Sequence, residues 1–275
     1  MLLNNIKPFY ILEILSTVSK QFRLLQIRNC YSIFGINDLV QQEKPEKYTI
    51  VPVQTYNHET AVRLAKRYFL SDHVFVRARH MDLNNDSAVD DYIAGLIKQG
   101  NSMFARTDGG AIAGVCINFV AEPDDPKKLR NYAFYRQDPN TKDFLYYTAK
   151  LQETPNLWNT FNADKIFEIK MIAVLPEYRR QGVATMLAQK SKTRAKDLGY
   201  DVIRMDCINP YDYKIAERCM LSCLAKFSLH KLRGTTAPFI KKASEHNTCV
   251  RVYVDAPAKQ DSPEMKMADL ESMFE

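Results

Sequence analysis

The stretch IFEIKMIAVLPEYRRQGVAT, Ile166–Thr185, decides how the rest of the chain is read. An apolar run, IFEIKMIAV (Ile166–Val174), has the density of a strand, and alternation along it sets Glu168, Lys170, Ile172 and Val174 on one face. The pattern then changes, and VATMLAQKSKTRAKDL (Val183–Leu198) reads as a helix closed by Gly199. A strand that stops where a helix starts leaves the first backbone N–H groups of the helix unpaired, at the positive end of its dipole. Gly182 lets the backbone approach an anion without a Cβ in the way, and Ala184 keeps the next turn thin. Arg179 and Arg180 add permanent charge with fork-shaped donors. Cations at a helix N-terminus are unfavourable unless an anion arrives, so the loop reads as a holder for a diphosphate.

Downstream, DVIRMDCI (Asp201–Ile208) reads as another strand, and strand, helix and strand at this spacing make a parallel βαβ unit. After Asn209-Pro210 a helix is expected around Tyr213–Leu221, then strands at LAKFSLHK (Leu224–Lys231) and TCVRVYVD (Thr248–Asp255). Upstream, YTIVPV (Tyr48–Val53) alternates as a strand, and HETAVRLAKRYFL (His58–Leu70) carries a helical apolar stripe. Ser87 with Asp90 three residues on predicts a capping box for a second helix through Tyr92, Ile93, Leu96 and Ile97. Thr107-Asp108-Gly109-Gly110 splits Ser102–Val120 into a β-hairpin. Between Glu122 and Lys165 lies an aromatic-rich insertion, expected to be helical and too long for a hairpin connection.

Composition narrows the function classes. Hydrophobic residues make up 46% and charged residues 25% of 275, which predicts a folded chain rather than a disordered one. The net charge of +6 is spread along the chain with no lysine-arginine block, so no nucleic-acid partner is expected. No run of about 18 apolar residues exists, so no membrane span is expected. Six cysteines are scattered without CxxC pairs, which fits a reducing, cytoplasmic setting and predicts no metal site. Cys219 and Cys223, four apart, are expected to share a helix face as small core residues. QQEKPEK (Gln41–Lys47) marks a boundary, giving an extension of unassigned role at 1–47, a domain at 48–255 and a disordered tail at 256–275. In the extension, FYILEIL (Phe9–Leu15) looks like a short signal core interrupted by Glu13. The surrounding Lys7, Lys20, Arg23 and Arg28 also loosely fit a mitochondrial presequence. A monomer is expected.

The Arg179-x-x-Gly182-x-Ala184 spacing, with the element order over 48–255, resembles the GNAT superfamily of N-acyltransferases. ETPNLWNTFNADKIFEIKMIAVLPEYRRQGVAT (Glu153–Thr185) further resembles the insect-type arylalkylamine N-acetyltransferases. The resemblance implies an α/β (α+β) fold with a mixed central sheet whose parallel strands splay apart, flanked by helices. It implies acetyl-CoA as the acyl donor and direct transfer to a small-molecule amine in a ternary complex. Ile172, Ala173 and Val174 would offer backbone groups to the pantetheine arm, and Gln181, Gly182, Val183 and Ala184 would cradle the pyrophosphate. A backbone N–H of Ala173 or Val174 would polarise the thioester carbonyl.

For the chemistry, four residues stand out. His73 occupies the place of the family's glutamate base, with Asp72 beside it to orient it or act through water; the competing reading is an ordinary loop histidine. Glu168 matches a strand glutamate used as a base in histone acetyltransferases, unless Lys170 merely neutralises it. Tyr211 aligns with the family tyrosine that protonates the departing thiolate, with Tyr213 adjacent. The aromatic insertion would cover the amine, although Trp158 and Phe161 suit plain core equally. Two rival readings stay open: a CoA-binding protein that has lost its base, and a protein N-acetyltransferase resting on Glu168 alone.

Overall fold

A computed structural model of the chain describes residues 48–84, 87–229 and 249–257. The expectations for 1–47 and for the tail beyond residue 257 lie outside the described residues, as do the last two residues of the strand expected at 224–231. Seven strands run β1 (Tyr48–Pro52), β2 (Met103–Thr107), β3 (Ile112–Ala121), β4 (Ile166–Val174), β5 (Ile203–Cys207), β6 (Ser222–Ser228) and β7 (Cys249–Asp255). The helices are α1 (His58–Tyr68), α2 (Val74–Ala78), α3 (Ala88–Ile97), α4 (Asp125–Phe134), α5 (Pro139–Glu153), α6 (Leu157–Phe161), α7 (Val183–Asp197) and α8 (Pro210–Arg218). Thus β4 has the bounds read from the sequence, and the aromatic insertion is three helices, α4 to α6. None of the described helices is long and apolar enough to cross a membrane.

The strands form one mixed sheet in the order β1-β2-β3-β4-β5-β7-β6. Only β4 and β5 are parallel, and they pair at just two positions, Phe167 with Ile203 and Glu168 with Arg204. Beyond Glu168 the two strands diverge, leaving a gap in the middle of the sheet. Helices cover both faces. Core residues of α1, α2, α3, α5 and α6 pack on one side, while Val183, Leu187 and Ala188 of α7 and Ala216 of α8 pack on the other. Gly114 in β3 fixes how closely β3, β4 and α7 approach. A Cβ there would lie 2.8 Å from the Ala173 carbonyl oxygen and 3.3 Å from Leu187, so no side chain fits.

Three local expectations fail for identifiable reasons. Alternation does not run unbroken along β4: Ile117 pairs with Met171 and Asn118 with Ile169, so Lys170 is an unpaired bulge residue. Phe167 and Ile169 therefore face α7 before the bulge, and Ile172 and Val174 face it afterwards. Met171 and Ala173 turn to the other side, which Glu168 also faces. Ser87 is itself in the right-handed helical region and makes no side-chain cap bond, and the Asp90 carboxylate that would complete the box pairs with Lys66 of α1 at 2.7 Å. Cys219 and Cys223 do not share a helix face, since α8 ends at Arg218 and Cys223 lies on β6.

The gap is walled by a buried guanidinium. Arg204 of β5 is 1% exposed. Its Nε donates to Asp206 Oδ1 at 2.8 Å, and Nη1 donates to the carbonyls of Gln152 (2.7 Å) and Pro155 (3.3 Å). Nη2 donates to those of Leu151 (2.6 Å) and Thr154 (2.9 Å). These bonds cover the end of α5 and the two residues after it, where of the four carbonyls only Leu151's has a local partner, the Thr154 N–H at 3.1 Å. Arg204→Met would strand Asp206 and the carbonyls of Gln152, Thr154 and Pro155, and is expected to destabilise the fold by about 3–5 kcal/mol in urea denaturation. A loss under about 1 kcal/mol would mean that water replaces the guanidinium.

Candidate active site

The anion loop forms as its sequence requires. After β4, a 3-10 turn at Pro176–Tyr178 leads to Arg179 in extended conformation, Arg180 at φ 64° and Gly182 at φ 84°. Gly182 is the N-cap of α7 with no side-chain cap bond, and the first intrahelical bond runs from Met186 N–H to the Gly182 carbonyl. The N–H groups of Val183, Ala184 and Thr185 precede that bond and so lack intrahelical partners. The Gln181 side chain is fixed from two sides: Nε2 donates to the Glu177 carbonyl at 3.0 Å, and Oε1 accepts from the Tyr48 hydroxyl. Arg179 is partly committed, since its Nε donates to the Val174 carbonyl at 3.1 Å and its guanidinium lies 3.7 Å from Asp72. Arg180 is exposed and is the cation of the pair with no recorded partner among the described residues.

The four residues expected to carry chemistry divide sharply. His73 is 7% exposed and ringed by Phe69, Phe144 and Tyr147, with centroids 5.7–6.0 Å away. Its Nδ1 accepts the Phe75 N–H at 3.1 Å, making it the N-cap of α2. Burial pushes its pKa down to about 4, so the ring is neutral near pH 7. With Nδ1 occupied as an acceptor, the proton sits on Nε2, which can donate but offers no lone pair to an ammonium. Asp72 does not orient this ring: it is 61% exposed and its carboxylate turns to Arg179. Tyr211 is 80% exposed in the first turn of α8 and lines neither cavity described below. Tyr213 donates its hydroxyl to the Cys249 carbonyl at 2.8 Å and is therefore engaged.

Glu168 is placed differently. Its side chain is 3% exposed and borders a cavity of about 40 Å³ with His73, Tyr92, Tyr147, Asp206 and Ile208, where β4 and β5 part. Oε2 accepts from Lys170 Nζ at 2.7 Å, so the anticipated pairing forms. Oε1 is buried with no hydrogen-bond partner among the described residues. A buried carboxylate oxygen without a donor is costly, and a cavity of this size has room for about three waters. Burial opposes charge on Lys170, but Glu168 and neighbouring Tyr92 and Asp206 outweigh it and hold the ammonium's pKa above its usual value. Burial raises the Asp206 pKa, against the pull of Arg204 and Lys170.

Several groups escaped the sequence reading. Arg204 and Asp206 of β5, Tyr92 of α3 and Tyr147 of α5 come from three separate elements, and no local spacing links the three. Asp212 is a nearer miss. Burial lifts its pKa to about 7, even though it accepts from Asn209 Nδ2 at 2.6 Å, so it is half-titrated near neutrality one residue from Tyr211. The insertion is only partly a pocket wall: Phe144 and Tyr147 line the small cavity, whereas Trp158 is core and donates Nε1 to the Ala121 carbonyl at 3.3 Å. Glu122, Asp124 and Asp125 cluster, but Lys128 and Lys165 answer them at 3.0–4.0 Å.

This architecture is shared with solved proteins. A mosquito arylalkylamine N-acetyltransferase like 5b superposes with a TM-score of 0.67 at 19% identity, over 76% of this chain and 99% of that one. Arylalkylamine N-acetyltransferase 2 from Aedes aegypti gives 0.68 at 18%, over 76% and 99%. The Drosophila melanogaster polyamine N-acetyltransferase, described as forming N-acetylagmatine, gives 0.67 at 14% over the same shares. At these identities the likeness is one of fold. Residues 75–217, more than half the chain, match the profile of the Acetyltransferase (GNAT) family, and with the splayed strands and the glycine-capped α7 the chain is a member of that family.

Proposed function

We propose that the chain transfers an acetyl group from acetyl-CoA to the primary amine of a small molecule, most simply an arylalkylamine, by direct attack in a ternary complex. The observation that carries this reading is the unpartnered Oε1 of Glu168 at the parting of β4 and β5. A carboxylate held there is able to take a proton from an incoming ammonium, directly or through water. Lys170 fixes its other oxygen. This assigns the base to β4 and leaves His73 as a helix cap.

The remaining roles follow the geometry. Arg180, Gln181, Gly182 and the first N–H groups of α7 bind the pyrophosphate of the donor, with Arg179 joining when it leaves Asp72. Beyond Glu168, the edge of β4 through Ile172, Ala173 and Val174 has no strand partner on the β5 side; the Val174 carbonyl is taken by Arg179, and the remaining backbone groups on that edge are offered to the pantetheine arm. One of their N–H groups polarises the thioester carbonyl. The departing thiolate takes its proton from the first turn of α8, where Tyr211 presents a phenol and Asp212 a carboxyl titrating near 7. The cavity at Glu168 is about 40 Å³ and walled by side chains of β4, β5 and α5, which favours a small acceptor over a protein one.

Thiol release from acetyl-CoA with a panel of amines tests the reading, alongside product mass. Glu168→Gln keeps an acceptor for Lys170 and is expected to lower kcat by about 10²–10⁴-fold while CoA binding is unchanged. His73→Asn keeps a capping oxygen and is expected to stay within a few-fold of the parent rate. If His73→Asn falls as far as Glu168→Gln, the assignment of the base is wrong. A protein that binds CoA and turns over no amine would instead favour the binding-only reading.

His73 also sets a pH dependence of stability. Its folded pKa of about 4 lies below the ordinary 6.5, so between these values the unfolded chain binds the proton and the folded one does not. Its contribution is therefore intact above pH 6.5 and lost as the pH falls towards 4. Relative to His73→Asn, the parent is expected to lose about 2–3 kcal/mol between pH 7 and 4.5 in urea titrations. Parallel stability curves for the two proteins would show that the ring is more solvated than its burial implies.

A further inference from the structure

The carboxylate placed where β4 and β5 part already holds an amine. An acceptor has to come within a hydrogen bond of Glu168 to lose its proton, and Lys170 Nζ stands 2.7 Å from Oε2. This ammonium is primary and belongs to the chain itself. The two side chains are 11% and 3% exposed, so the pair is fixed and largely shut off from solvent. A nucleophile held in this way needs no bimolecular encounter and reacts at a high effective concentration.

Lys170 also has somewhere to go. A second cavity, about 280 Å³, lies between α3, α4, β3 and the end of α5, and it shares Tyr92 and Lys170 with the small cavity at Glu168. An engineered cavity of about 150 Å³ holds a benzene ring, so the larger space has ample room for an acetyl group. Tyr92, Phe119, Leu129 and Tyr132 give it apolar surface. Gln152 borders it, is 3% exposed, and its Nε2 has no hydrogen-bond partner among the described residues. Apolar walls with one waiting donor suit a neutral acetamide, whose carbonyl accepts a single bond. Asp91 and Asp125 also line this space, the first exposed and the second engaged by Lys128 at 3.3 Å and by the Glu122 N–H at 2.8 Å. The carboxylate that Lys170 meets is Glu168.

We propose that Lys170 is acetylated in its own active site, and that the resulting acetamide turns into the larger cavity, its methyl among the rings and its carbonyl on Gln152 Nε2. The inference rests on the acetyl-transfer reading for the donor and goes beyond it by naming an acceptor within the chain. Nζ gives one proton to Glu168, and its lone pair forms the bond to the thioester carbonyl carbon. The carbon–sulfur bond breaks, and the second proton lost by nitrogen leaves with the sulfur as the thiol of CoA. The transfer happens once per chain. Afterwards Glu168 has lost the cation on Oε2, and both its oxygens face an incoming amine without that donor.

The test is incubation of the full chain with acetyl-CoA and no amine, followed by intact mass and peptide mapping, beside the same chain unfolded in urea. In the folded chain Lys170 is expected to gain one acetyl group about 10²-fold faster than exposed lysines such as Lys127 and Lys190, and in urea no faster than they do. Glu168→Gln is expected to slow the gain by about 10²-fold or more. Lys170→Arg keeps a cation for Glu168 and is expected to leave only slow background labelling elsewhere. Thermal melts of both variants confirm folding. With isotope-labelled acetyl-CoA, the new methyl is expected to show NMR contacts to the rings of Tyr92, Phe119 or Tyr132. Labelling spread evenly over exposed lysines, an equal rate in urea, or a rate indifferent to Glu168→Gln would each overturn self-acetylation, and a methyl free in solvent would overturn its placement. Amines acetylated while Lys170 stays unmodified would sink this inference alone; a chain that binds CoA and acetylates neither would sink the acetyl-transfer reading with it.

Discussion

Everything at the centre of the molecule depends on one buried guanidinium. Arg204 ties down the end of α5 by taking four carbonyls between Leu151 and Pro155, of which only Leu151's has a local N–H as well, and at the same time it neutralises Asp206 two residues along its own strand. A lysine could not do both, because only the planar fork of arginine presents donors in several fixed directions at once. The consequence is positional. The aromatic insertion is tied to β5 at its C-terminal end, which holds Phe144 and Tyr147 over the gap and Gln152 beside it.

The gap itself comes from two departures from ideal sheet geometry. β4 and β5 share only two paired positions, and the bulge at Lys170 reverses which face each later residue presents. Without the bulge, Lys170 would alternate regularly with its neighbours and Met171 and Ala173 would face α7. With it, Glu168 still meets Lys170 beside the cavity, while Ile172 and Val174 turn to pack against α7. A single extra residue thus lets one strand serve both halves of a two-substrate site.

Much of this was legible in the sequence, and the failures share a cause. The bounds of β4, the Gly109-Gly110 hairpin and the left-handed Gly182 before α7 are set by local chemistry, and local chemistry is what a sequence displays. The glycine-capped turn before α7, proposed as the diphosphate loop, is local in the same way. What could not be read was competition from distant partners. Asp90 abandons its cap for Lys66, Asp72 abandons His73 for Arg179, and Phe75 claims the histidine nitrogen that a base would need. The bulge is equally invisible, since its signal is the register of β3 rather than any residue in β4. Glu168 with Lys170 was anticipated as a pair, but its unpartnered oxygen emerges only once the cavity is seen.

The placement of charge has a consequence for how the two substrates feel ionic strength. Around the gap, Glu168 and Asp206 are matched by Lys170 and Arg204, all withdrawn from solvent, so counterions have little access to them. Arg180 stands in open water at the mouth of α7, where about 0.15 M salt screens a charge within roughly 8 Å. In the proposed reaction, added salt therefore acts on one side: it would weaken the hold on a diphosphate while leaving the cavity at Glu168 almost indifferent. The donor would meet an electrostatic surface and the acceptor a compensated, nearly field-neutral interior.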